Sequence, residues 1–246
     1  ICKMITKLQI SEKDNESVKG LFCQKDPLIE KMDFLNLVVN KPWGYEYLMF
    51  QTPEVSIWML HIKKGYSTSV HCHPNKKTSL LVVSGQAISS SLNETFNLNE
   101  KGVFHTTEAI SENGAFVMEI ETPSDKTDLI RLKDNYKREK KAYTSRQNIT
   151  SKTYNYHYQY IEDKEGETKI FGKYRFFLRS FIDNNDLLNN KELFDSEIGI
   201  LISGEILLGD KLITTGDIFL ISELKNANII SPVKILIMHE RKNLIK

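Results

Sequence analysis

From Leu37 onward the sequence is cut into short runs of branched and aromatic residues: YEYLMF, VSIWMLHIK, TSLLVVSG, AISSSL and GAFVMEIET. Each run is closed by Gly, Asn, Pro or a Lys-rich turn, with Pro74-Asn75 and Asn113-Gly114 as turn signals. Strand-length segments at intervals of about 10 residues, with no helical period between them, point to an all-β sandwich or barrel.

A polar stretch, SDKTDLIRLKDNYKREKKAYTSRQNITSKT, interrupts the pattern at 124–153, and its basic run Lys137–Lys141 reads as a solvated connector. The β pattern then resumes with YNYHYQY, YRFFLRSFI, EIGILISGEILLG, KLITTGDIFLIS and VKILIMHE. In YNYHYQY, Tyr154, Tyr156, Tyr158 and Tyr160 alternate with polar residues, which predicts a strand with one aromatic and one wet face. The expected organisation is an N-terminal extension at 1–36, a β domain at 37–145 and a second at 146–246. Both halves run strand, Ser-Gly turn, strand, Gly turn, strand, which is consistent with an internal duplication.

The 33 basic and 32 acidic side chains leave a net charge of +1, which argues against binding to nucleic acid. No apolar stretch approaches the roughly 20 residues of a membrane helix. Cys2, Cys23 and Cys72 form no CxxC pair, and ICKMITKLQI lacks the features of a signal peptide, so reduced thiols in a cytoplasmic protein are expected.

The chemistry concentrates at Gly65-Tyr-Ser-Thr-Ser-Val-His71-Cys-His73. On a strand, residues two apart share a face at about 7 Å, so His71 and His73 can grip one cation while Cys72 turns away. His105 follows the Gly102 turn and would open a neighbouring strand. Three neutral imidazoles would suit a divalent transition metal, Zn, Fe, Ni or Mn, with positions left open. His61 either points into the barrel or is a satisfied core histidine. His157 and His239 have no partners of this kind.

These residues resemble a known family. Gly65-x5-His71-x-His73-x4-Thr78-x6-Gly85 is similar to the first cupin motif, and Gly102-Val-Phe-His105 to the second. Lys41-Pro42-Trp43-Gly44, Leu81-Val-Val-Ser84-Gly85, Met118-Glu119-Ile-Glu121 and Asp128-x2-Arg131-x2-Asp134-x-Tyr136-x-Arg138 resemble segments of type II phosphomannose isomerases and related sugar cupins. The resemblance covers 39–143 and implies cupin-type jelly-roll barrels, two of them if the second half is a degenerate cupin. In that half Glu197 and Gly204 keep the family spacing, but Asn190 and Glu192 stand where its histidine pair would be.

The departures shape the expected chemistry. The family's glutamate ligand is replaced by Thr78, which predicts a neutral three-histidine face of the sort found in some iron-dependent cupin dioxygenases. The implied ligands are His71, His73 and His105. Glu119 and Glu121, two apart on one strand face, are candidate catalytic bases, and Lys41 and Arg131 candidate binders of an anionic substrate. Arg131, Asp134 and Arg138 have an alternative reading as a salt-bridge network closing the barrel. The resemblance implies a sugar-phosphate or sugar-nucleotide isomerase or epimerase and a possible homodimer. A three-histidine iron dioxygenase and a catalytically silent sugar-binding cupin are the alternatives.

Overall fold

The computed structural model describes residues 8–91, 101–190 and 193–241. The described chain divides into two compact units, 8–160 and 161–241. Both are antiparallel β structures, as the spacing of the runs predicts.

In the first unit the strands are β1 (Leu37–Lys41), β2 (Gly44–Gln51), β3 (Ser56–Ile62), β4 (Val70–Cys72) and β5 (Lys77–Ser84). They continue with β6 (Ala87–Ser91), β7 (His105–Ala109), β8 (Ala115–Thr122), β9 (Ile130–Lys133) and β10 (Ile149–Ser151). One sheet runs β10-β1-β2-β3-β8-β5 and the other β6-β7-β4-β9. The pairs β6·β7, β5·β8 and β4·β9 nest inside one another as the arms of a single long hairpin. Winding that hairpin brings β3 onto β8 and β4 onto β7, which is the jelly-roll topology.

Alternation along the strands fills the interior. Trp58, Leu60 and Ile62 of β3 join Leu80 of β5 and Val117 of β8 in one buried cluster with Trp43. Two residues beyond Val117 the same face of β8 turns acidic, so one end of the barrel is apolar and the other charged. Gly44 lets the sheet close tightly: at φ 149°, a Cβ there would stand 1.9 Å from the His61 carbonyl oxygen.

The segment before β1 belongs to this unit. Helix α1 (Glu12–Ser17) is capped by Ser11, and its buried Asp14 accepts the Phe104 N–H at 2.9 Å. Val18, Leu21 and Cys23 cover Cys72, Phe104 and Ile130. Cys72 is thus buried packing on the side of β4 opposite the histidines.

Residues 149–160 also belong here: β10 pairs with β1, and Tyr156 and Tyr158 lie against Tyr45 and Tyr47 with ring centroids 5.0 and 4.8 Å apart. The strand predicted for YNYHYQY is not formed. The run is irregular and is fixed through its hydroxyls, with Tyr156 donating to Asn40 and Tyr158 accepting the Asn36 N–H. Alternation predicted a ladder, but edge-on and tilted ring contacts with these side-chain bonds replace it.

The second unit holds β11 (Thr168–Phe171), β12 (Tyr174–Phe181), β13 (Ile198–Leu208), β14 (Lys211–Ile213), β15 (Ile218–Leu220) and β16 (Ala227–Glu240). Its order β12-β16-β13 repeats β3-β8-β5 of the first unit. Register shifts between Leu201 and Ile206 mark irregularities in β13 where it pairs with β16. The sheet covers a core of Phe177, Phe181, Leu201, Phe219, Ile235 and Ile237. No helix among the described residues is long and apolar enough to cross a membrane.

Candidate metal centre

Three strands of the first unit deliver the site. His71 and His73 come from β4 and the residue after it, and His105 sits opposite His71 in the β4·β7 ladder. The ring centroids lie 5.0 Å (His71–His73), 4.4 Å (His71–His105) and 5.3 Å (His73–His105) apart. All three rings are buried.

Main-chain carbonyls set the rings. The Nδ1 of His71 lies 2.7 Å from the Ser69 oxygen, that of His73 2.7 Å from the Asp128 oxygen, and that of His105 3.0 Å from the Val103 oxygen. A carbonyl only accepts, so each Nδ1 carries the proton and each Nε2 keeps its lone pair. The Nε2 atoms of His73 and His105 are buried with no hydrogen-bond partner. An orphaned buried acceptor costs about 1–3 kcal/mol, and a bound cation would remove that cost.

The structure corrects the expectation of a purely neutral face. Glu119 joins the three histidines, with one potential ligand atom from each residue all within 4.8 Å of one another. Its Oε1 is 3.8 Å from His73 Nε2. Thr78, at the family's glutamate position, instead pairs in register with Glu121, and its hydroxyl has no partner. The carboxylate comes from β8, where Glu119 stands opposite Leu80. A set of three imidazole nitrogens and one carboxylate oxygen suits Zn²⁺, Fe²⁺, Mn²⁺ or Ni²⁺.

Around this centre lies an ion-pair network. Lys126 reaches Glu119 at 2.6 Å, Glu121 at 2.9 Å and Glu46 at 3.9 Å, with its ammonium 4.6 Å over the Trp58 ring. Lys76 pairs with Glu121 at 2.8 Å and donates to the Asp125 carbonyl. Burial opposes charge on Glu119, but Lys126 and, behind it, Lys76 hold its carboxyl well below the ordinary range. Burial likewise opposes charge on Lys126, and Glu119, Glu121 and Glu46 more than restore it.

Glu121, expected as a base, is fully buried and engaged by both lysines. Lys41 lies 3.1 Å from Glu46 and 3.7 Å over the Tyr143 ring, and burial pushes it down to about 7. Tyr143 donates to Glu46 from the other side. Arg131, expected to meet an anionic substrate, is buried and directs its Nη groups at the carbonyls of Lys141, Ala142, Tyr143 and Arg138. Arg138 grips Asp134 through two nitrogens, at 2.7 and 2.8 Å. These residues therefore tie down the 138–143 segment, Arg138 and Asp134 through an ion pair and Arg131 through main-chain carbonyls.

His61 faces away from the centre, between Tyr45 and Phe116 at 4.9 and 4.5 Å. His157 lies 5.7 Å from Phe116, and His239 meets Ser196 at 3.3 Å. Glu197 accepts the Glu240 N–H in the second unit. Glu192 lies outside the described residues, as does Cys2. Sequence reasoning missed Lys126, Lys76, Glu46 and Tyr143, because a lysine in a polar loop carries no mark that it turns inward.

The space beside the histidines is small, about 40 Å³, and is lined by His71, His73, Glu119 and Lys126. A second cavity of about 520 Å³ shares Lys41, Arg138 and Tyr143 with it and adds Asn40, Lys141 and Ser145.

Burial pushes His105 down to about 4, helped by His73, and holds His71 well below its ordinary value. An unfolded histidine titrates near 6.5, so between roughly pH 6.5 and 4 the unfolded chain binds protons that the folded chain refuses. Metal-free protein should therefore lose stability as pH falls through that window, by about 3 kcal/mol from His105 alone. Urea midpoints of chelator-treated protein at pH 7.5 and pH 5 test this; equal midpoints would mean that the rings accept protons in place.

No family model matches the sequence, and no curated protein matches it. Among solved structures, the capsular polysaccharide assembling protein CapF of Staphylococcus aureus aligns at 16% identity and TM-score 0.34. That alignment covers 39% of this chain and 34% of CapF, about a third of that protein's length. Oxalate decarboxylase of Lactobacillus farciminis, in a formate complex, aligns over 85% of both chains at 10% identity and TM-score 0.36. A cupin-superfamily sugar phosphate isomerase of Silicibacter pomeroyi covers 29% of this chain and 52% of its own, at 11% identity and TM-score 0.26.

Proposed function

We propose that this chain is a cupin whose first unit binds a divalent transition metal through His71, His73, His105 and Glu119 and acts on a small carbohydrate-type substrate. The observation that carries this reading is the pair of buried, unpartnered Nε2 atoms beside a carboxylate. When bound, such a metal supplies Lewis acidity that polarises a carbonyl oxygen. The chain's own residues would do the rest. Glu119 would help hold the metal, and the Lys126 ammonium, 2.6 Å from it, is placed to donate a hydrogen bond to a substrate oxygen beside the metal. Glu121 and Lys76 fix that pair in place.

The finer reading is an isomerase or epimerase of sugar phosphates or sugar nucleotides. Its support is the larger cavity, where Lys141 lies on the wall beside the Lys41–Glu46 and Arg138–Asp134 pairs and offers a cation for a phosphate. The presence of Glu119 removes the reason for preferring a three-histidine oxygenase. A catalytically silent sugar-binding cupin is favoured by one observation, the 40 Å³ interior.

Metal-reconstituted protein should interconvert mannose 6-phosphate and fructose 6-phosphate or a related hexose or heptose phosphate. With metal restored and measured, absence of turnover across such a panel would remove the isomerase reading and leave the silent binder.

A further inference from the structure

We infer that the loaded centre takes a small oxyanion as its remaining ligand, with the Lys126 ammonium as the group that clasps it. This rests on the metal-binding reading above and adds the class of ligand.

The first argument is charge. With Arg138 neutralised by Asp134, the interior space is lined by Lys41, Lys76, Lys126 and Arg131 against Glu46, Glu119 and Glu121. The sum is +1, or zero when Lys41 is deprotonated, and the neutral imidazoles add nothing. A divalent ion raises the total by two, and the one further buried carboxylate behind His73, Asp128, is engaged by the N–H groups of Asn75 and Lys76. Buried net charge of that size is unfavourable, and an anion entering with the metal would offset it.

The second argument is position. Lys126 Nζ sits 2.6 Å from Glu119 Oε2, the carboxylate within ligand reach of the histidines. Among the described residues Lys126 has no main-chain carbonyl for a partner, whereas Lys76 is pinned to Asp125 and Lys41 to Tyr143. Among these lysines Lys126 is the one whose ion-pair partners among the described residues are three carboxylates, Glu119, Glu121 and Glu46, with the Trp58 ring beneath its ammonium. If the metal draws on Glu119, Lys126 loses part of its closest partner and can turn a proton to an incoming oxygen.

The third argument is size. About 40 Å³ holds about three water-sized atoms, the dimensions of a carboxylate or of the deprotonated hydroxyl–carbonyl end of a sugar. The ligand's anionic end fits beside the metal, and any bulk beyond it must lie elsewhere.

Cobalt titration with formate and formamide as probes tests the proposal. Cobalt(II) is added first to wild-type protein and followed by its visible absorption; failure to bind there overturns the metal reading itself, before any anion is present. With cobalt bound, formate should change the spectrum saturably and its neutral isostere formamide should not; equal responses overturn the requirement for charge. Lys126→Met should bind cobalt about tenfold more tightly, because a competing cation is gone, and formate about tenfold more weakly. Those opposite signs separate the proposal from general damage, which would weaken both. Lys126→Arg, keeping the charge, should keep formate binding. Formate affinity unchanged in Lys126→Met overturns the role of Lys126.

Discussion

Replacing His73 with alanine is expected to lower divalent-metal affinity by about 100-fold or more, given that losing even a hydrogen-bond partner behind a ligand costs 10–100-fold. The ring has no substitute. Cys72 packs against Phe104 and Ile130 on the other side of β4, and Thr78 pairs with Glu121 outside the group that could hold the ion. What remains is two imidazoles and a carboxylate already claimed by Lys126 at 2.6 Å. The measurement is metal content after equilibrium dialysis, on protein purified without a histidine tag, with His157→Ala as a control that keeps its metal. Full occupancy in the His73 variant would place the ion somewhere other than this cluster.

The largest loss of stability is expected from Glu121→Ala. Glu121 is completely buried, and Lys76, its partner at 2.8 Å, is 1% exposed. Removing the carboxylate leaves the Lys76 ammonium in the interior with only the Asp125 carbonyl to meet it. Orphaning one member of a buried pair costs about 3–5 kcal/mol, a large share of the 5–15 kcal/mol that a domain typically has. Removing both charges, as in Glu121→Leu with Lys76→Met, should recover most of that loss, because the desolvation of each ion disappears with it. Trp43 and Trp58 both lie in the first unit, so urea unfolding followed by tryptophan fluorescence reports on that unit alone. A Glu121→Ala midpoint equal to wild type would show that the network carries little of the fold's stability.

The sequence made some of this legible because the signals were local. Turn residues at short intervals mark strands wherever they pair, and an i, i+2 spacing places His71 and His73 on one face without knowledge of the neighbouring strand. Glu119 as a fourth donor could not be read in the same way. Its approach depends on the register of β8 against β5 and β3, where it faces Leu80 and Trp58, and register is a long-range property. Lys76 and Lys126 were hidden for a related reason. Their loops look solvated, and only the barrel's acidic end draws the ammoniums inward. Arg131 carried both readings at once, and its position among four carbonyls favours closure of the barrel. The tyrosine run shows the reverse error. Perfect alternation suggested a strand, yet Tyr156 and Tyr158 use that spacing to set their rings edge-on and tilted against Tyr45 and Tyr47.

The three orienting acceptors behind the imidazoles are peptide oxygens of Ser69, Val103 and Asp128. Every amino acid brings an identical oxygen to those places, so replacing any of the three side chains leaves the acceptor in position as long as the main-chain path survives. That buffering against side-chain exchange stops at Asp128, whose buried carboxylate also accepts the Asn75 and Lys76 N–H groups and so holds the main-chain path that presents its carbonyl to His73.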